Sequence, residues 1–207
     1  NWITHHLSAK GIESVKWSQI SGDQYRLTVT LKHRQHWGYD IDYNGGSNLQ
    51  IRIRRPPVIV SKDSALAGLT IAVDAGHGGD SNGALGATGA LEMDLTLAVA
   101  RHLDSLLNLK GAKVVMTRTS SEGPTMIERT EKALSSGAHL LVSIHCNSIG
   151  ELTDPLQVQG TSTYYRYVGF KPLANVMYDK MLELGLKQFG IVGSFNFALN
   201  APTQLPN

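Results

Sequence analysis

Two hydrophobic periods divide this chain. Up to about residue 60, apolar and polar positions alternate. Tyr25, Leu27, Val29 and Leu31 alternate with Arg26, Thr28, Thr30 and Lys32. Trp37, Tyr39, Ile41 and Tyr43 alternate with Gly38, Asp40 and Asp42, and Leu49, Ile51 and Ile53 with Gln50, Arg52 and Arg54. Period two predicts strands with one buried and one wet face. Asn44-Gly45-Gly46-Ser47 is a good turn between the last two strands. An antiparallel meander of three or four strands is expected. Arg54-Arg55-Pro56-Pro57 closes it, because proline cannot donate to a central ladder. Ser61-Lys62-Asp63-Ser64 is polar and reads as a linker.

From Leu69 the pattern changes. Leu69-Thr70-Ile71-Ala72-Val73 is a short apolar run, as in a strand covered on both faces. Leu91, Leu95, Val99, Leu103 and Leu106 then recur at helical spacing. Gly111 suits that helix's C-terminus. Ala112–Thr117 predicts a second strand. Pro124 can open a helix at its first position and Gly137 can end it. His139–His145 predicts a third strand and Gly160–Tyr165 a fourth, followed by a helix near Lys171–Leu184. The fold class expected is α/β, a largely parallel or mixed sheet with flanking helices, preceded by a small antiparallel β region. The domains expected are a small β region over 1–60, a linker over 61–68 and an α/β domain over 69–207.

Composition narrows the function classes. The chain has 207 residues, 42% hydrophobic and 17% charged, which is too apolar for a disordered chain. Its 19 Lys+Arg against 17 Asp+Glu do not suggest a nucleic-acid binder held by phosphate neutralisation. Residues 1–60 carry 8 Lys+Arg and 4 Asp+Glu, a net +4; the rest carry 11 and 13, a net −2. A basic face could favour an anionic polymer, or be an ordinary solvated sheet surface. No apolar run reaches membrane-spanning length. The single cysteine, Cys146, allows neither an intrachain disulfide nor a cysteine-based zinc site. The start Asn1-Trp2-Ile3, without Met or signal peptide, is expected of a processed or excised piece.

Glycines concentrate in Asp74-Ala75-Gly76-His77-Gly78-Gly79-Asp80-Ser81-Asn82-Gly83, directly after the first buried strand. Ligands sit outside the carboxyl ends of such strands. A P-loop needs Gly-Lys-Ser/Thr, which is missing, and a dinucleotide fingerprint needs a third glycine where Ser81 stands. Both phosphate readings fail. The remaining reading makes His77 a metal ligand, although alone it could be an ordinary loop histidine. His145 closes the third strand and should emerge at the same sheet edge. Glu92 starts the first helix, at the end of the loop that carries His77. Two imidazoles and a carboxylate form the open set typical of catalytic zinc, and this donor mix suits Zn²⁺ better than Mg²⁺ or Ca²⁺. Glu92 could also be a capping carboxylate, and His145 a core histidine satisfied by backbone. His139 lies about 20 Å from His145 along the strand, and His102 about 15 Å along the helix from Glu92, so neither can share their ion. Strand alternation turns Cys146 away from His145, which reads as a small core residue.

At this point the chain resembles the zinc-dependent N-acetylmuramoyl-L-alanine amidases of bacterial cell-wall turnover. The resemblance rests on Val73–Gly79, Gly83–Gly86, Leu91-Glu92-Met93-Asp94, Val115-Met116-Thr117-Arg118, Glu128-Arg129 and Val142–Ser148. Gly160–Tyr165 and Asn196-Phe197-Ala198-Leu199 continue it, so it runs from about residue 68 to the end. It implies a metal on His77, Glu92 and His145, in agreement with the residue reading. It also implies hydrolysis of the amide between N-acetylmuramic acid and L-alanine in peptidoglycan. Asn147 is a candidate substrate-binding residue. The family's general base is a second glutamate after a proline-containing segment. The matching segment here is Ala201–Asn207, so that base is expected beyond Asn207 and no catalytic residue is assigned in this chain. Some relatives carry a plugging helix after the second histidine motif; the short stretch Ile149–Gln159 leaves little room for one, and an open site is expected. The β region fits a wall-targeting or scaffold module. The implied partner is peptidoglycan, with no nucleic acid, no transmembrane segment and any regulatory protein unknown, and the implied location is the periplasm or cell surface. The alternatives are a non-catalytic peptidoglycan-binding protein of the same fold and a zinc peptidase acting on peptides.

Overall fold

The structure is a computed structural model that describes residues 9–61, 63–150, 153, 154 and 156–207. The chain divides into two compact units, one ending at Pro56 and one beginning at Pro57.

The first unit holds two separate hairpins rather than one meander. Strand β1 (Ile12–Gln19) pairs antiparallel with β2 (Tyr25–Leu31), and β3 (Tyr39–Asn44) with β4 (Asn48–Ile53). The segment Lys32–His36 between them is polar throughout and has no alternation to extend a ladder. The alternating residues meet across the strands: Trp17 opposite Leu27, Val15 opposite Val29, Ile41 opposite Ile51, Tyr43 opposite Leu49. Such cross-strand pairs are the unit of sheet stabilisation. The expected buried face is not formed. Tyr43 is 65% exposed and Leu49 53%, and Gly38 alone is buried among the described residues up to Pro56.

The second unit is the α/β layer. Strand β5 (Thr70–Ala75) runs at the centre of a parallel sheet, between β6 (Lys113–Met116) and β7 (Leu140–Ile144). Every residue of β5 after Thr70 is buried. Its pleat splits them between two cores. Ile71, Val73 and Ala75 pack with Ala100, Ala112 and Met116 under α1 (Glu92–Leu109). Ala72 faces the other way, with Ala133 of α2 (Met126–Ser135), Leu141, Leu199 and Leu205. Helix α2 begins two residues later than proline at its first position would give. Thr125 is its cap and forms a reciprocal capping box with Glu128, and Pro124 precedes that cap. A second parallel pair joins β8 (Thr161–Tyr164) to β9 (Gln188–Val192), with α3 (Lys171–Leu182) between them. Strand β9 was not expected; it is short and carries Gly190.

Helix α1 is rotated from its expected face. Leu95, Val99 and Leu106 are about half exposed, whereas Glu92, Thr96 and Ala100 are buried, with Leu103 and Leu107 against the core. The buried stripe therefore starts on two polar side chains, and both are used by the site. No helix among the described residues is long and apolar enough to cross a membrane.

Candidate metal centre

Parallel strands β5 and β7 deliver His77 and His145 to one sheet edge. The first turn of α1 brings Glu92 to meet them. His77 Nε2, His145 Nδ1 and Glu92 Oε1 stand 3.2 Å from one another in all three pairings. Donor atoms at about 2.0–2.1 Å from a tetrahedral zinc ion lie roughly 3.3 Å apart, so this triangle fits such an ion. Among the described residues this is the one group of three or more His, Cys, Asp or Glu placed to share a metal. His102 and His139 lie outside it. His139 Nδ1 instead accepts the Thr70 backbone N–H at 3.0 Å.

Two of the three residues are held from behind. His77 Nδ1 lies 3.0 Å from Ser81 Oγ, which leaves Nε2 to face the triangle. Glu92 is 4% exposed and accepts the N–H groups of Ala84 on Oε2 and Cys146 on Oε1, both at 2.8 Å. Burial pushes its carboxyl upward, but those two N–H groups and the two imidazoles outweigh burial and hold it below the usual glutamate range. The carboxylate is thus the ionised form a cation needs. It does not cap its own helix: the cap residue is Leu91, without a side-chain bond.

Two glycines make the approach possible. A Cβ on Gly76 would lie 2.4 Å from the His145 ring. One on Gly83 would lie 2.7 Å from both Glu92 and His77. His77 itself has a left-handed backbone, φ 63°, which is sparsely populated for residues other than glycine.

Beneath the loop lies a buried polar cluster. Asp74, Arg118 and Arg129 are at most 1% exposed. Asp74 Oδ1 accepts from Thr117 Oγ1 at 2.6 Å and Arg129 Nη1 at 2.8 Å, and Oδ2 accepts from Ser143 Oγ at 2.6 Å. Reading the sequence found Asp74, Arg118 and Arg129 only as parts of matching stretches. A carboxylate inside the apolar β5 run was the available sign, since buried charges are paired.

One other expectation changes. Cys146 is exposed, not a core residue. Strand β7 ends at Ile144, so alternation no longer sets its direction, and its N–H turns to Glu92. Although the side chain reaches solvent, partial desolvation and then the Glu92 charge push its thiol upward. Asn147 bonds within the protein: Nδ2 donates to the Gly160 carbonyl and to Ser162 Oγ at 2.8 Å, and Oδ1 accepts from Tyr164 at 3.3 Å. The stretch 149–159 lies partly outside the described residues. His145 is 46% exposed and His77 25% at their side chains.

The signature of the N-acetylmuramoyl-L-alanine amidases matches residues 71–196. The chain belongs to this family. N-acetylmuramoyl-L-alanine amidase LytC of Bacillus subtilis is 34% identical over 131 residues, covering 61% of this chain and 25% of that protein. Among solved structures, the N-acetylmuramoyl-L-alanine amidase AmiC2 of Nostoc punctiforme is 31% identical with a TM-score of 0.62, covering 68% of this chain and 77% of that one. The catalytic domain of the amidase CwlV from Bacillus (Paenibacillus) polymyxa is 31% identical with a TM-score of 0.60, covering 67% and 76%. The chain spans a quarter to just under half of the length of the curated relatives it matches first. The amidase match begins in β5 and takes in all three residues of the triangle.

Proposed function

We propose that this chain carries the zinc site of an enzyme that hydrolyses the amide between N-acetylmuramic acid and L-alanine in peptidoglycan. The observation that carries the reading is the triangle of two imidazole nitrogens and one carboxylate oxygen with 3.2 Å edges. Family membership supports the substrate class. His77, Glu92 and His145 would hold the ion, which when bound polarises a carbonyl and lowers the pKa of a water to about 7.

The chain's own groups prepare this chemistry. Ser81 fixes the His77 ring. Ala84 and Cys146 keep Glu92 ionised. Asn147 ties the segment after β7 to β8, and we assign it to the wall against which the substrate lies. The general base is not among the residues assigned here. We read residues 1–60 as a wall-targeting or scaffold module, 61–68 as a linker and 69–207 as the catalytic domain. Its substrate places its action outside the cytoplasmic membrane, in the periplasm or at the cell surface.

The test is metal content together with release of soluble stem peptide from purified cell wall. The protein should hold one zinc per chain, which His77→Ala and His145→Ala should lose. With the glutamate base also present, it should release stem peptide, and the same two variants should abolish that release. Cleavage of free peptides with no release from wall would replace this reading by a zinc peptidase. Wall binding with no cleavage at all would leave a non-catalytic binder.

A further inference from the structure

The three ligands come from three separate segments, and each segment is tied to one buried polar cluster behind the site. The loop after β5 is tied through its carbonyls. Arg118 Nε donates to Ala75 O at 2.8 Å and its Nη2 to Gly76 O at 2.9 Å. Arg129 Nη1 donates to Ala75 O at 2.7 Å and its Nη2 to His77 O at 2.6 Å. The first turn of α1 is tied next. Arg118 Nη2 also donates to Met93 O at 2.7 Å, one residue from Glu92, and Thr96 Oγ1 donates to Gly76 O at 2.8 Å. The third tie is to β7, where Ser143, two residues before His145, donates to Asp74 Oδ2.

We propose that Arg129, Arg118 and Asp74 form the positioning frame of the metal site, in which Arg129 clamps the left-handed backbone of His77 and Arg118 fixes that loop against Glu92. The fork of a guanidinium suits this task. Its donors lie in one rigid plane and reach several carbonyls at once. Lysine keeps the charge but offers a single point of contact. Arg129 also spends its Nε on Pro124 O at 2.8 Å, so α2 serves as the anchor. Asp74 balances the Arg129 charge at 2.8 Å and also accepts from Thr117 and Ser143. Nothing in the frame touches the triangle directly. It acts through backbone, on where the ligand atoms stand.

A plain structural role would lower stability and leave the site of the folded protein intact. The two roles separate by measuring metal binding at matched stability. The variants are Arg129→Lys and, as a control, Leu103→Ala, which removes packing from the α1 side of the core away from the frame. Zinc affinity is read by competition with a chromophoric chelator, and site geometry by the visible spectrum of the cobalt-substituted protein. Arg129→Lys should bind zinc about 10–100-fold more weakly and shift the cobalt bands, while Leu103→Ala binds as the unaltered protein does. Equal affinity and an unchanged spectrum in both would overturn the proposal. Should Arg129→Lys fail to fold, Ser143→Ala decides: a several-fold weaker affinity supports the frame and an unchanged one sinks it. The inference rests on the zinc reading above, and the two fail differently. An unaltered protein that takes up no zinc ends both, whereas zinc binding indifferent to these variants ends only this one.

Discussion

The two units treat the same kind of residue in opposite ways. In the first, alternating Ile, Leu, Val and Tyr side chains pair across hairpins and remain partly or largely exposed, with Leu49 53% exposed. In the second, a run of similar residues in β5 is buried completely, because helices cover both faces of a parallel sheet. Periodicity therefore reports which residues face together. Whether that face is dry depends on what lies over it, and a two-stranded hairpin has no second layer of its own.

The contrast can be measured unit by unit. Every tryptophan lies before Pro57, at positions 2, 17 and 37, and every helix of the described residues lies after it. Tryptophan emission thus reads the first unit and helical circular dichroism the second. The largest effect is expected from Leu141→Ala, which empties a site 3% exposed in the β7 core. It should cost about 2–5 kcal/mol, seen as an earlier dichroism midpoint in urea with the emission midpoint unmoved. A joint shift would show the units unfolding as one. Thr125→Ala removes the reciprocal cap of α2 and should cost about 1 kcal/mol by the same dichroism measurement. Leu49→Ala should stay within about 0.5 kcal/mol by emission. A loss of several times that would mean the apolar hairpin face is covered in solution, and would erase the contrast between the units.

The convergence of His77, Glu92 and His145 was legible because they sit where topology brings them together: after two parallel strands and at the first turn of the helix between them. The α/β order and the turn at Asn44–Ser47 were legible for the same reason, since local pattern and chain connectivity agreed. The face of α1 was not. An apolar stripe runs through Leu95, Val99 and Leu106, yet Glu92 and Thr96 face inward, where Ala84, Cys146 and Gly76 satisfy them by hydrogen bonds. The roles of Arg118 and Arg129 were illegible because most of their partners are carbonyl oxygens, which every residue possesses and no sequence pattern marks. Cys146 was misplaced because alternation was carried past Ile144, where the strand stops.

The close packing at Gly76 has an evolutionary consequence. The imidazole of His145 occupies the space where a methyl group would project from position 76. Even the smallest enlargement there would displace the His145 ring while leaving all three residues of the triangle in the sequence. On the zinc reading proposed above, a homologue with an intact His-Glu-His set but alanine at that position loses its cation without any visible change in the triad itself.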